Sequence, residues 1–397
     1  MSANHFLRMG LDPRWLGAAL SALVFFQFAL DGGGSETAIW VAGLFLVLQM
    51  AYGHCGIRRL PKRLLAVAGM ALLILVVSWV FSCEITDTHR SLRFLKFVIV
   101  VFSVYCLGRM TPADGLVRMG AAVIALVILW QLAVRHLGAS PYGSFERPHY
   151  LAYFALLLVP PLILLSLSLK PPYRYALLFL LLPTADLILN DLSRPVIPVL
   201  SLAAAAGVVL FFVAATWRRW AAILWLGLAS VVVCYLAPKV VDFFVHDERA
   251  TIWQDTLRMI AQGDWGSWLV GEGLGSFPEH FPDFSVQEFA YLSLPHNHFF
   301  EVFYESGGVA LVAVVFALGY VAIQSAQLAW AVDTRPLRGL ALCNLAMLVI
   351  WFLFSFFVFS VYSSYNLYPL AFIVGIHFSL AETVATRSAP PTSTTRS

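Results

Sequence analysis

The sequence predicts an all-α polytopic membrane protein, and three observations support this fold class. Of its 397 residues, 60% are hydrophobic and only 12% are charged. The mean hydropathy is +0.81, whereas a soluble domain carries about twice this share of charged residues. Apolar stretches of about 20 residues, the length that an α-helix needs to cross a bilayer, recur along most of the chain.

About twelve of these stretches are candidate transmembrane helices. They are 15–31, 37–53, 64–82, 92–109, 115–136, 149–169, 173–189, 195–215, 219–236, 298–329, 337–359 and 361–382. An even number of crossings places both termini on one side of the membrane. Lys and Arg cluster in the even-numbered connections, so the positive-inside rule predicts that these connections and both termini are cytoplasmic.

The connection between the ninth and tenth stretches is much longer than any other, and it marks the predicted domain organisation. Residues 1–236 are expected to form transmembrane helices 1–9, and residues 298–382 helices 10–12. Between them, residues 237–297 are rich in Asp, Glu, Gly, Pro and aromatics, which indicates a folded subdomain on the outer face. Residues 383–397 end in a Ser, Thr and Pro-rich segment that is typical of a disordered cytoplasmic tail.

Two segments of this outer loop have a recognisable pattern. Residues 247–262 predict an amphipathic helix with Ile252, Thr256 and Met259 on one stripe, and the surface of the bilayer is one place where it would lie. Residues 271–282 (GEGLGSFPEHFP) resemble a GxGxxG pattern. Since no strand precedes it and no helix obviously follows, we expect a tight turn that brings backbone close to a ligand or the membrane, and not a nucleotide site.

The strongest candidate for chemistry is the segment PHNHFFEVFYESGG, residues 295–308, at the start of the tenth stretch. His296 and His298 are candidate catalytic residues because imidazole transfers protons near neutral pH. Asn297, Glu301 and Glu305 are candidate supporting residues. Capping of a transmembrane helix by His and Asn is the alternative interpretation, and which of the two histidines is the base stays open.

Three arginines at predicted membrane boundaries on the outer face are candidate phosphate ligands: Arg147, Arg194 and Arg249. The guanidinium group is a permanently charged planar fork that suits phosphate oxygens, and several such groups can hold a pyrophosphate without a metal. The alternatives are anchorage to lipid headgroups for each of them and, for Arg147, an ion pair with the adjacent Glu146.

Several kinds of site are not expected from the sequence. It has no DxD, no HExxH and no GxSxG pattern, so we predict no metal site, no cofactor and no serine nucleophile. The five cysteines are scattered without CxxC spacing, which indicates apolar fillers and no disulfide framework. A formal charge of +3, with basic residues confined to short clusters, gives no indication of nucleic-acid binding.

The second half of the chain resembles the O-antigen ligase and O-antigen polymerase superfamily. The resemblance is carried by Arg249, Trp253 and Leu257, then Gly271-Glu272-Gly273, then His296-Asn297 followed by Gly307. The overall topology, with about twelve spans and one large late loop, is also similar. Ala310 stands where the family has its next small or polar position and is a departure from the pattern.

This resemblance implies a metal-independent glycosyltransferase of the GT-C type in the bacterial inner membrane. Its partners would be an undecaprenyl-pyrophosphate-linked O-antigen as donor, a lipid A-core oligosaccharide as acceptor, and the lipid bilayer. By the same resemblance His296 is the functional histidine and Arg194 and Arg249 bind the donor on the periplasmic face. His298 has no firm counterpart in the family.

Two other functions remain open at this stage. The polymerase of the same superfamily uses the same donor and differs in its acceptor. A lipid or solute transporter would also have about twelve spans, but alternating access places binding sites near the middle of the membrane. Here the polar residues concentrate at one face, which favours an enzyme.

Overall fold

The computed structural model describes residues 61–81, 88–137, 148–189, 248–285, 295–332, 334–357 and 364–388, together with the isolated positions 43, 201 and 206. Throughout this part of the chain the regular structure is α-helical and no strand occurs. The helices before the outer loop are α1 (Lys62–Phe81), α2 (Thr88–Met110), α3 (Ala113–His136), α4 (Pro148–Ser166), α5 (Pro171–Phe179) and α6 (Leu181–Leu189).

Six further helices follow: α7 (Glu248–Gln262), α8 (Trp265–Val270), α9 (Phe277–Phe284), α10 (His298–Ala331), α11 (Arg335–Phe357) and α12 (Ser364–Ser388). Four segments among the described helices are long and apolar enough to cross a membrane: Ala113–His136, His298–Ala331, Pro336–Phe356 and Asn366–Thr386. An all-α membrane protein is therefore confirmed.

The predicted spans agree closely with the described helices. Those at 64–82, 92–109, 115–136, 149–169, 298–329, 337–359 and 361–382 each coincide with one helix. The spans 15–31, 37–53, 195–215 and 219–236 lie, apart from the isolated positions, outside the described residues. The total of twelve therefore stays a prediction. Helix α12 continues to Ser388, so the predicted disordered tail from residue 383 begins with helix.

The predicted span 173–189 is two short helices and not one. Pro183 explains the break between α5 and α6, because proline has no N–H to donate to the carbonyl of Phe179 and its ring crowds that carbonyl. Helix α5 ends at Phe179. Near the end of α6, Asp186 Oδ2 accepts a bond of 2.6 Å from Arg135 Nη1, so this carboxylate is paired with an arginine.

Helices α2 and α12 approach each other closely through small residues. A Cβ atom on Gly375 would lie 2.7 Å from the backbone oxygen of Val101, and a Cβ on Gly108 would collide with the side chain of Ser379. Gly375 and Ser379 are four residues apart on the same face of α12. This is the small-xxx-small spacing that allows membrane helices to pack at short distance.

The main core lies between α2, α3, α4, α11 and α12. Its largest fully buried side chains include Trp351, Tyr153 and Phe354, and the rings of Tyr153 and Phe354 lie 4.7 Å apart. Cys343 is a buried free thiol, whereas Cys106 is disulfide-bonded. The expectation that all five cysteines are apolar fillers was wrong for Cys106, because spacing along the chain says nothing about distances across the fold.

The outer loop forms a small second core. Ile252, Met259, Phe277 and Phe281 pack together with Tyr304 of α10, and Thr256 is also fully buried. The predicted stripe on α7 therefore exists, but it faces α9 and α10 and not the surface of the bilayer. The expectation that no helix follows the glycine segment was wrong as well, since α9 begins at Phe277 with Pro278 in its first turn.

Candidate functional site

The candidate site is built around the first turn of α10. Asn297 is the N-cap of this helix, and its Oδ1 accepts bonds from the backbone N–H groups of Phe299 (2.9 Å) and Phe300 (3.2 Å). Asn297 is fully buried, and its Nδ2 has no hydrogen-bond partner among the described residues. A buried amide without an acceptor costs about 1–3 kcal/mol, so Asn297 Nδ2 is an unsatisfied hydrogen-bond donor at the start of α10.

The two candidate histidines occupy different environments. His296 is half-buried, and its φ of 52° is in the left-handed region. For a residue other than glycine this conformation costs roughly 1–2 kcal/mol, and such strain is concentrated at functional sites. His298 is 1% exposed, and its ring lies 5.4 Å from that of Trp351 in an edge-on contact.

A chain of hydrogen bonds fixes the ring of His298. Asn366 Nδ2 donates to His298 Nδ1 over 3.1 Å, and Ser355 Oγ donates to Asn366 Oδ1 over 2.8 Å. Trp351 Nε1 donates to the backbone oxygen of Asn366 over 2.8 Å. With Nδ1 accepting, a neutral imidazole carries its proton on Nε2. His298 is thus held as a hydrogen-bond donor, which suits a positioning residue better than a base.

Arg249 lies on helix α7, which is hydrogen-bonded to the histidine segment. Its side chain is only 6% exposed, so it is not an anchor in the lipid headgroups. Trp253, four residues later and therefore on the same face of the helix, donates from Nε1 to the backbone oxygen of Pro295 over 3.1 Å. Pro295 directly precedes His296, so this bond joins the helix of Arg249 to the histidine segment. Leu257, one turn further, is half exposed and lies outside this contact.

The glycine segment docks onto the backbone of α10. Glu272 N–H donates to Tyr304 O over 2.9 Å, and Gly273 N–H donates to Glu305 O over 3.0 Å. Helix α10 is interrupted at Gly307, which has φ 78° and ψ 174°. A tight turn was expected here, and among the described residues its close neighbour is the backbone of α10; the expected ligand or membrane contact stays a prediction.

The two candidate glutamates are fully buried. Glu305 Oε1 accepts a bond of 3.3 Å from Phe277 N–H, at the start of α9. A carboxylate at a helix N-terminus is stabilised by the helix dipole. Glu305 therefore joins α10 to α9, and Glu301 lies one turn earlier on α10, next to the cap at Asn297.

Two further candidate residues lie outside the described part of the chain. Arg147 and Arg194 are not among the described residues, so their predicted role in binding a donor stays a prediction. Within the described residues, no group of three or more His, Cys, Asp or Glu side chains is arranged to hold a metal ion.

Several residues that shape the site were missed at the sequence level. Asn366 and Ser355 are distant from the histidines along the chain, and only the fold brings them together. His280 Nδ1 lies 2.6 Å from Tyr304 Oη, which joins α9 to α10 beside the glycine segment. The aromatic residues on α7 and α10 were the sequence feature that could have suggested a contact at Trp253. The acceptor of the Trp253 bond is a backbone oxygen, which no residue type identifies.

Helix α8, which precedes the glycine segment, has its own cap. Asp264 Oδ1 accepts bonds from the Ser267 N–H (2.8 Å) and from Ser267 Oγ (3.0 Å). These two bonds hold the pKa of Asp264 below the ordinary value of an aspartate. The cap fixes the start of α8, whose far end leads directly into Gly271.

Comparisons with known proteins add no family to this description. No protein-family model matches the chain, and no curated protein matches it.

Proposed function

We propose that this protein is an O-antigen ligase, a glycosyltransferase that moves a polysaccharide from undecaprenyl pyrophosphate to a sugar hydroxyl of lipid A-core at the outer face of the inner membrane. The observation that carries the proposal is the bond between Trp253 Nε1 and Pro295 O. It joins the helix of the buried Arg249 to the segment of the half-buried His296. Sugar transfer from a pyrophosphate needs both a cation for the leaving group and a base for the acceptor.

The chemistry divides between these two groups. His296 takes the proton from the acceptor hydroxyl, whose oxygen attacks the anomeric carbon of the donor sugar. The bond between that carbon and the pyrophosphate oxygen breaks, and undecaprenyl pyrophosphate leaves with the electron pair. In-line attack inverts the configuration at the anomeric carbon. Arg249 stabilises the charge that develops on the leaving pyrophosphate, a contribution that in buried sites is large.

The neighbouring groups suit the same reaction. The N-terminus of α10 directs its positive dipole end toward the site, which favours an anionic ligand. The Nδ2 of Asn297 offers a donor for a sugar or phosphate oxygen. Arg147 and Arg194 complete the proposed donor site, and His298 orients the segment through Asn366 and Trp351.

Reconstitution tests this function. Purified protein in liposomes is supplied with undecaprenyl-pyrophosphate-linked O-antigen and lipid A-core in the presence of EDTA, and the products are separated by gel electrophoresis. We expect a ladder of polysaccharide attached to lipid A-core. Longer chains that remain on undecaprenyl pyrophosphate would identify a polymerase, and movement of the donor across the bilayer without a new glycosidic bond would identify a transporter.

A further inference from the structure

A cavity lies at the opposite end of the helix bundle from the histidines. It encloses about 100 Å³ between α2, α3, α4, α11 and α12. Its lining includes Leu107, Ile124, Leu165, Leu340 and Phe372. Apolar cavities of this size stay dry and take up apolar groups. The lining residues on α2 and α4 are close to the ends of these helices, which the basic connections place on the cytoplasmic side.

Within the described part of the chain, the cavity is least enclosed on the side of α3 and α12. The lining residues Met119, Gly120 and Val123 of α3 and Phe372 and Ile376 of α12 are only half-buried, whereas those of α11 are buried. At the depth of the membrane, hydrocarbon chains take the place that water has around a soluble protein.

One buried polar group distinguishes this cavity from a simple packing gap. Asn344 of α11 lines it and is 3% exposed, and its Nδ2 has no acceptor among the described residues. In the membrane an unpaired amide is costly, and buried polar residues there mark functional positions. A leucine would fill this position without leaving a polar group unpaired.

Arg118 and Lys170 are among the cations at the same end of the bundle. Arg118 precedes Met119 on α3, and Lys170 follows α4 directly before α5; both are exposed, and no ion pair holds either of them in the described part of the chain. Asp114 and Glu382 are the carboxylates nearby, and Glu382 shares the surroundings of Tyr105 with Arg109. Arg118 and Lys170 therefore remain available for an anionic headgroup.

From this combination we infer a binding site for an anionic phospholipid of the cytoplasmic leaflet. One of its hydrocarbon chains enters the cavity between α3 and α12, and its phosphate contacts Arg118 and Lys170. Basic residues at the cytoplasmic ends of membrane helices bind anionic lipid headgroups in this way. The site is separate from the proposed transfer site, so it stands or falls independently of the ligase activity.

Native mass spectrometry of the purified full-length protein tests the site, with phosphatidylglycerol and phosphatidylcholine of identical chains added together. We expect preferential retention of phosphatidylglycerol, by about fivefold for each cation that contacts the headgroup. The variant Val123→Phe, which fills the cavity, abolishes this retention. Leu129→Phe, on an exposed lipid-facing position of the same helix, is the matched control and retains the lipid.

The charge and the source of the lipid are tested separately. The double variant Arg118→Gln and Lys170→Gln loses the preference for phosphatidylglycerol but keeps the cavity. If Val123→Phe does not fold, Met119→Trp at the mouth of the cavity replaces it. Retention that survives the cavity-filling variant, equal retention of the two phospholipids, or displacement of phosphatidylglycerol by a polyprenyl phosphate would each overturn the assignment.

Discussion

Gly271 and Gly307 lie on two segments whose backbones are in close contact. Each glycine leaves room for the backbone of the residues that precede the other glycine. A Cβ atom on Gly271 would collide with the backbone of Glu305 and Ser306, and a Cβ on Gly307 would collide with that of Leu269 and Val270. Both glycines have positive φ, 83° and 78°. Because both the conformation and the contact require glycine, this clasp fixes the outer loop on α10 near the histidines.

We therefore predict that Gly307→Ala destabilises the protein by about 2 kcal/mol or more, from the left-handed conformation and the collision together. The unfolding temperature of the purified protein in detergent measures this. Gly319→Ala on the same helix is the control, because a Cβ there meets nothing within 4 Å. It should be neutral or slightly stabilising. Equal unfolding temperatures for the two variants would disprove the clasp.

The bond of Trp253 to Pro295 predicts a second effect. Trp253→Phe keeps an aromatic ring against Phe300, whose ring lies 6.0 Å away, but removes the N–H that holds the histidine segment. We expect the rate of transfer to fall about tenfold because the base is misplaced. Trp265→Phe, at a ring that is 78% exposed, should transfer at the normal rate. A normal rate for both variants would show that this bond does not position the site.

Arg249 gives a third prediction, which depends on the shape of its group. Arg249→Lys keeps the charge but loses the planar fork, so we expect a loss of transfer activity of about tenfold or more. Arg258→Lys is the control, since the Arg258 side chain on the same helix is 66% exposed. If Arg249→Lys retains full activity, the arginine contributes only charge and does not hold the pyrophosphate through two parallel bonds.

Asp264 predicts a local dependence on pH. The bonds from Ser267 lower the pKa of Asp264 in the folded protein. Its contribution to the stability of α8 is therefore complete at pH values above the pKa that Asp264 has in the unfolded chain, and it is lost as the pH falls through the pKa in the folded protein. Hydrogen exchange of the Trp268 and Gly271 amides, expressed as protection relative to the unfolded chain, should show this loss in acid. In Asp264→Asn the loss should be absent. The same loss in that variant would assign the effect to another group.

The helices were largely predictable because length and hydropathy define a membrane span, but their interruptions were not. Pro183 lies inside an apolar run, and hydropathy alone does not register its missing N–H. The break at Gly307 depends on a φ that the residue type permits but does not require. Its significance becomes visible only when Gly271 is seen against the same backbone.

The histidine segment could be selected from the sequence as a candidate site, but the different environments of its two histidines could not be predicted. Clustering of His296 and His298 on one short segment indicated chemistry, but only the family resemblance favoured His296, and the residue types themselves did not distinguish the two. Their difference comes from Asn366, a partner on another helix, and from the backbone angle of His296. Contacts between residues far apart in the chain depend on the packing of whole helices, which local patterns do not encode.

The most direct test of the central claim compares transfer rates of His296→Ala and His298→Ala in the reconstituted system. If His296 is the general base, its loss lowers the rate by about 10²–10⁴-fold and leaves the unfolding temperature unchanged. His298→Ala should lower the unfolding temperature, because Asn366 loses its partner, and should retain more activity. Transfer at the normal rate by a folded His296→Ala protein would contradict the account.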